Sequence, residues 1–216
     1  MSGHSTVNLP GSAGEHELQD RYRSQSRALA FYRNQVIDVL NVPMQAFIAR
    51  QEMMFVGTAD ARGEADVSIR AGEPGFVRVI DEHRLAYPEY RGNGVMASLG
   101  NIAENPHVGL LFVDFTVDKI GLHVNGTARI VESDEMIADA SMPEEIRRDS
   151  VVESGKRAER WVVVSIIEAY IHCSKHIPLM RKLTRAEEVQ WGTDDDRAKG
   201  GDFFRVKAEK AQREEA

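Results

Sequence analysis

The chain has 216 residues, a formal net charge of −7 and a hydrophobic content of 42%. An acidic chain lacks the concentrated basic surface that binds nucleic acid or anionic membranes, so we expect neither partner. A single cysteine, Cys173, excludes an internal disulfide framework and a multi-cysteine metal site. The apolar runs are too short to span a bilayer, and the first residues lack the pattern of a secretory signal. We therefore expect a cytoplasmic protein.

Composition and apolar spacing predict four segments along the chain. They are a disordered N-terminus at 1–15, a helical arm at 16–42, a main domain at 43–183 and a charged tail at 184–216. The arm is predicted as one helix from His16 to about Leu40. In the tail, Trp191 is expected to cover a surface patch, with a lid or a subunit contact as alternatives.

Short apolar or alternating runs predict the strands of the main domain. They lie at 53–58, 65–70, 76–80, 84–87, 108–115, 120–131 and 160–172. Short helices are predicted from Pro43, from Ser133 and after the glycines at 92 and 94. Strands joined mostly by short turns favour an antiparallel barrel with flanking helices over a doubly wound parallel sheet.

The first candidate site residues are Ser68 and Arg70, which share one face of a predicted strand. A hydroxyl beside a guanidinium can hold a phosphate or a carboxylate. Val67 and Ile69 are then expected to face the core. The alternative is that the serine and the arginine simply face water.

A second candidate feature is the stretch "RGNG" at 91–94, followed by a helix predicted to begin near Val95. The free N–H groups at a helix start attract anions, and Ser98 and Asn101 share one helical face. Together with the serine–arginine pair, these residues could form an anion cradle. The alternative is an ordinary turn before an ordinary helix.

Histidine and cysteine positions do not predict a reactive centre. His172 and Cys173 are neighbours on a predicted strand and point in opposite directions, which argues against a nucleophilic pair. We expect no metal site, because the spacing of the later histidines does not match metal-binding motifs. These histidines are His107, His123, His172 and His176.

The ordered motifs "RGNG", "SLGNI", "NPHVGLLF", "VNGTAR" and "YIHCSKHI" resemble the flavin-nucleotide-binding proteins of the pyridoxamine 5′-phosphate oxidase-like superfamily. The resemblance runs from about Phe47 to about Cys173. It implies a mainly β protein with flanking helices, a six-stranded antiparallel split β-barrel. It also implies a homodimer with two FMN molecules at the subunit interface. Val124–Thr127, which alone looks like a hairpin turn, would be one continuous strand with Gly126 at a bulge or a close approach.

The resemblance also implies a set of FMN contacts. In pyridoxamine phosphate oxidase, Arg and Lys occupy the positions that Ser68 and Ser98 match, so two cationic contacts are missing here. Arg70 can restore one of them, and Lys175 is a candidate for a phosphate contact or for the charge near N1 of reduced flavin. The full set of expected contacts is Ser68, Ile69, Arg70, Ala71, Tyr87, Asn93, Ser98, Leu99, Asn101 and Lys175.

The function implied by the resemblance is an FMN-dependent oxidoreductase that acts on a small redox substrate, with NADH or NADPH as a candidate donor. The flavin carries the reaction, so no catalytic side chain is named. Oxidation of pyridoxamine phosphate itself is not expected, because residues 184–216 lack that enzyme's Arg- and His-bearing end. The alternatives are a non-catalytic flavin carrier, a split barrel that uses F420, and a haem protein with His123 or His172 as axial ligand.

Overall fold

The computed structural model describes residues 9–151, 158–183, 195 and 200–214. The chain divides into two compact units, which are described separately. The first holds the residues up to 87 together with 97–130 and 162–182, and the second holds 88–96, 131–161 and the residues from 183 onward. Trp191 and the first eight residues lie outside the described residues.

The described residues form seven α-helices and eight strands. The helices are α1 Ala13–Arg21, α2 Gln25–Gln35, α3 Val42–Ala49, α4 Ala97–Glu104, α5 Ser133–Ala138, α6 Glu144–Val151 and α7 Val206–Glu214. The strands are β1 Val36–Ile37, β2 Met53–Ala59, β3 Ala65–Ala71, β4 Arg78–Asp81, β5 Arg84–Glu89, β6 His107–Asp114, β7 Ile120–Glu132 and β8 Arg160–His172.

The strands form one sheet in the order β3-β2-β6-β7-β8-β5-β4, and β1 pairs with β8. The pairings β1–β8, β2–β3, β2–β6, β4–β5 and β6–β7 are antiparallel. A mainly antiparallel β protein with flanking helices is thereby confirmed. The described residues form eight strands, whereas the resemblance implies six, and the sheet stays open between β3 and β4. One of the additional strands, β1, has two residues and is too short to leave a pattern in the sequence.

The predicted single helix of the arm is two helices in the structure. Ser12 caps α1: its Oγ accepts from the Glu15 backbone N–H at 3.2 Å, and its own N–H donates to the Glu15 carboxylate at 2.9 Å. Arg23 adopts a left-handed backbone with φ of 54° and separates α1 from α2. Helical spacing of apolar residues does not reveal such a break. α1 begins at Ala13, inside the stretch predicted to lack structure.

The core of the first unit is built from alternate residues of its central strands. Met54 and Val56 of β2 pack with apolar residues of β6, β7 and β8. These partners include Leu110, Phe112, Leu122, Val124, Val162 and Val164. A period of two therefore places one face of each strand inside and the other outside.

Gly126 lies within the unbroken strand β7, where it permits a close backbone approach. A Cβ at this position would lie 2.2 Å from the carbonyl oxygen of Ser165 and 2.9 Å from a methyl carbon of Val164. The implied continuous strand with a close approach at Gly126 is confirmed, and the hairpin alternative is wrong.

The prediction that Val67 and Ile69 face the core is wrong, since they are 69% and 54% exposed. Across the β2–β3 ladder, Arg70 pairs with Met54 and Ser68 pairs with Val56. These two β2 residues are fully buried, so the polar side chains of β3 take the inner face. Alternation fixes which residues share a face, but it does not say which face is covered.

The second unit contains a buried hydrogen-bonded tryptophan. Trp161 Nε1 donates to Ser150 Oγ at 2.9 Å, and the Ser150 hydroxyl donates to the Ile146 carbonyl at 2.8 Å. The Ser133 hydroxyl donates to the Ala158 carbonyl at 2.9 Å. These bonds satisfy the indole N–H of Trp161 and the hydroxyls of Ser150 and Ser133, which the unit buries.

Candidate functional site

A cluster of hydrogen-bond donors lies where β3 meets α4 in the first unit. Ser68 Oγ lies 2.9 Å from Ser98 Oγ, and Arg70 Nη1 donates to Ser68 Oγ at 2.8 Å. Arg70 Nη1 also donates to the Ile69 carbonyl at 3.2 Å. Ser98 is buried, while Ser68 and Arg70 are half-buried. Three of the predicted site residues thus meet within hydrogen-bond distance.

Helix α4 is held over β2 and β3 by residues on one of its faces. Asn101 Nδ2 donates to Thr58 Oγ1 at 3.1 Å, and Leu99 and Ile102 are buried in the core. Ser98 is the second residue of α4, so its backbone N–H belongs to the first turn, whose N–H groups have no partner within the helix. The predicted shared face of Ser98 and Asn101 is confirmed.

Asn93 belongs to the second unit and lies in a turn before α4. Its Oδ1 accepts from the Val95 N–H at 3.0 Å. Gly94 and Met96 have left-handed φ angles of 83° and 55°, so the helix begins at Ala97 and not near Val95 as predicted. The Asn93 side chain stabilises its own turn.

The other predicted contacts lie on three elements of the first unit. Tyr87 of β5 is fully buried in the core cluster. Ala71 is exposed at the end of β3. Lys175 is exposed on a short 3-10 turn at Ser174–His176. Their proposed roles toward a cofactor remain predictions.

The outer face of the sheet carries a row of residues that crosses four strands. Ile69 pairs with Phe55, Phe55 with Leu111, and Leu111 with His123. The neighbouring row runs from Val67 through glycines of β2 and β6 to Asn125. An open groove of about 550 Å³ lies along this second row. The apolar residues of the first row therefore extend from the exposed side of β3 across β2 and β6. They are Ile69, Phe55 and Leu111.

Two histidines that are 49 positions apart meet on this outer face. His123 Nε2 lies 2.9 Å from His172 Nδ1, and the His123 ring stacks on Tyr170 with centroids 4.7 Å apart. Burial lowers the pKa of His123, and His172 lowers it further, while Glu168 opposes the shift. The sequence does not predict this contact, because it depends on how β7 and β8 lie together in the sheet.

Within the parts of the chain that the structure describes, no group of three or more His, Cys, Asp or Glu side chains is arranged to hold a metal ion. The described helices are also too short or too polar to cross a bilayer.

The family model described as pyridoxamine 5′-phosphate oxidase matches residues 42–173, which is more than half of the chain. The chain belongs to this family. The match agrees with the sheet and with the ordered motifs between β2 and β8. No curated protein matches the chain.

Several solved structures are similar to this chain. HupZ from Group A Streptococcus is 20% identical and has a TM-score of 0.43, over 58% of this chain and 88% of that chain. An FMN-binding protein from Syntrophomonas wolfei is 14% identical with a TM-score of 0.45, over 76% and 99% of the two chains. HutZ, the haem storage protein of Vibrio cholerae, is 15% identical with a TM-score of 0.39, over 62% and 93%.

Proposed function

We propose that the chain binds FMN as a homodimer and acts as an oxidoreductase on a small redox substrate. Membership of the pyridoxamine 5′-phosphate oxidase family supports the cofactor class. The observation that carries the proposal is the contact of Ser68, Arg70 and Ser98 at the start of α4.

The donors of this cluster fit a phosphate group. A phosphate monoester carries a charge of about −1.5 to −2 near neutral pH. The Arg70 guanidinium can form two parallel hydrogen bonds with it, and the hydroxyls of Ser68 and Ser98 can donate to it. The N-terminus of α4 adds N–H groups and the positive end of the helix dipole. One cation with several neutral donors thus replaces the two cations expected from the family.

The proposed homodimer follows from the outer face of β3. Val67 and Ile69 are exposed apolar side chains on an edge strand. A second copy that covered them would remove apolar surface from water. In this proposal Lys175 keeps its candidate role at the cofactor.

Bound FMN would supply the capacity to accept and donate electrons. The chain's own residues would hold the phosphate, orient the ring and limit access of water. No side chain is required as a nucleophile in this proposal.

The experiment for cofactor identity is to purify the protein and record its absorbance spectrum, then determine the mass of any cofactor released by denaturation. We expect FMN. Release of F420 or haem would replace the proposal with one of its alternatives. A colourless protein that also fails to bind added FMN would refute flavin binding.

The second experiment separates an oxidoreductase from a carrier. The FMN-loaded protein is mixed with NADH or NADPH, and the loss of flavin absorbance and its recovery with candidate acceptors are followed. We expect reduction by at least one donor on the time scale of seconds. Turnover that stays very slow with every donor would favour a non-catalytic flavin carrier.

A further inference from the structure

His123 and His172 form a paired imidazole site on the outer face of the first unit. They come from the neighbouring strands β7 and β8, and their facing nitrogens, Nε2 and Nδ1, are 2.9 Å apart. Both side chains are half-buried, so they remain reachable from solvent. Imidazole nitrogen is a common ligand for zinc, copper, iron and nickel ions.

Neighbouring residues place the two histidine side chains next to each other and leave the rings free to turn about their terminal torsion. His123 stacks on Tyr170 with an interplanar angle of 19°. A Cβ at Gly121 would lie 2.8 Å from the Cβ of His172, so a glycine at this position makes room for the His172 side chain. Asn125 Nδ2 donates to Glu168 Oε1 at 2.8 Å on the same two strands. The pair is therefore held by its neighbours and does not consist of two mobile surface side chains.

The separation of the two nitrogens can be compared with the separations found around a metal ion. Two nitrogens about 2.0 Å from an ion lie about 2.8–2.9 Å apart in adjacent square-planar or octahedral positions. In a tetrahedral site they would lie about 3.3 Å apart. The observed 2.9 Å is a hydrogen-bond distance, and it shows that the two nitrogens are close enough to share one ion after the rings turn. Adjacent square-planar or octahedral positions, which Cu(II) and Ni(II) prefer, would require the smaller change in this separation.

We propose that His123 and His172 form a two-histidine site for a divalent transition metal of the Cu(II) or Ni(II) class, with water completing the coordination. The metal takes the place of the proton between the facing nitrogens, and the ring that carried this proton holds it on its other nitrogen instead. Each ring turns so that its lone pair points at the ion, which the broad terminal torsion of histidine allows. This site does not depend on flavin binding.

The test is a Cu(II) titration of protein without a histidine tag, followed by calorimetry and electron paramagnetic resonance. Every protein carries His4→Ala, which removes a histidine outside the described residues. We expect one equivalent of Cu(II) with a spectrum typical of two nitrogen ligands. His123→Gln and His172→Gln should each weaken binding at least about tenfold, whereas His83→Gln, at an exposed turn, should leave it unchanged.

Absence of a bound equivalent, or unchanged affinity in both His123→Gln and His172→Gln, would overturn the proposal. Thermal melts confirm that each variant is folded. Should a variant fail to fold, the spectrum of the parent protein decides, because a spectrum without two nitrogen ligands also overturns the site.

Discussion

Arg70 is the residue on which the proposed phosphate site depends most. Its guanidinium already contacts Ser68, which in turn contacts Ser98, so one cation organises the hydroxyls of β3 and α4. Arg62, by contrast, lies in the turn between β2 and β3 and pairs with Asp60 and Glu64 on an exposed surface. Variants of Arg70 and Arg62 therefore distinguish the effect of losing a contact in the site from the effect of losing a positive charge elsewhere on the surface.

Arg70→Ala should weaken FMN binding by about 1–3 kcal/mol, because it removes a charged hydrogen-bond donor to the phosphate. This corresponds to a roughly 5- to 150-fold higher Kd in a fluorescence titration. Arg62→Ala is the matched control and should change the Kd less than twofold. Equal affinities for Arg70→Ala and the parent would mean that the phosphate binds elsewhere.

Asp114 stabilises the turn between β6 and β7. Burial of its carboxylate opposes ionisation, but the N–H groups of Val117, Thr116 and Asp118 donate to it and outweigh that effect. The pKa of Asp114 therefore lies below its ordinary value.

A carboxylate with a depressed pKa in the folded state contributes stability above its unfolded pKa of about 3.9, and this contribution is lost as the pH falls through the folded value. Asp114→Asn should lower the unfolding free energy by about 1–2 kcal/mol at pH 7, measured with urea. The difference from the parent protein should shrink below about pH 4. Asp118→Asn, at an exposed ion pair with Arg50, should cost less than about 1 kcal/mol. A pH-independent difference for Asp114→Asn would show that the charge is not what matters.

At the scale of elements, the close approach of the β7 and β8 backbones restricts which residue position 126 can hold. Gly126 faces the Ser165 carbonyl and the Val164 side chain, and the nearer atom is backbone that cannot turn away. Gly100 lies within α4 and has no atom within 4 Å of an added Cβ. The same substitution at the two glycines should therefore act in opposite directions.

Gly126→Ala should destabilise the fold by about 1–3 kcal/mol or more, because the new methyl group overlaps the neighbouring strand. Gly100→Ala should stabilise it by about 0.5–1 kcal/mol, because alanine has the higher helix propensity. Urea unfolding of both variants checks the two signs. A neutral Gly126→Ala would contradict the tight contact between β7 and β8.

The sequence revealed those site features that depend on local periodicity. A period of two placed Ser68 and Arg70 on one face, and a spacing of three placed Ser98 and Asn101 on another. It did not reveal which face of β3 is covered, because that depends on the pairing with β2. It also missed the contact between His123 and His172, which arises only when β7 and β8 lie side by side.

The positions where helices begin and end also include features that the sequence did not predict. The break at Arg23 and the late start of α4 both depend on left-handed residues, Arg23 and Met96, that are not glycine. Such residues carry no turn signal in the sequence, since left-handed backbone is expected mainly at glycine, asparagine and aspartate. The resemblance to a family predicted that β7 is one continuous strand. The local pattern at Val124–Thr127 alone looked like a hairpin turn.

At the scale of the whole molecule, the proposed homodimer depends on the exposed apolar side chains of β3. Val67→Asp should raise the dimer dissociation constant at least about tenfold, since a charge would be buried in the interface. Val42→Asp is the matched control, because Val42 is 77% exposed at the start of α3, where an acidic residue is well tolerated. Sedimentation velocity over a concentration series measures both variants. A parent protein that stays monomeric at every concentration in the series would contradict the proposed interface.

A paired titration of the flavin-free protein with FMN and with riboflavin tests the phosphate site most directly. The two ligands share the ring and the ribityl chain and differ only in the phosphate. We expect FMN to bind at least about tenfold more tightly, because Arg70, the two serine hydroxyls and the α4 N-terminus all act on that group. Equal affinity for FMN and riboflavin, or no binding of either, would contradict the proposed site.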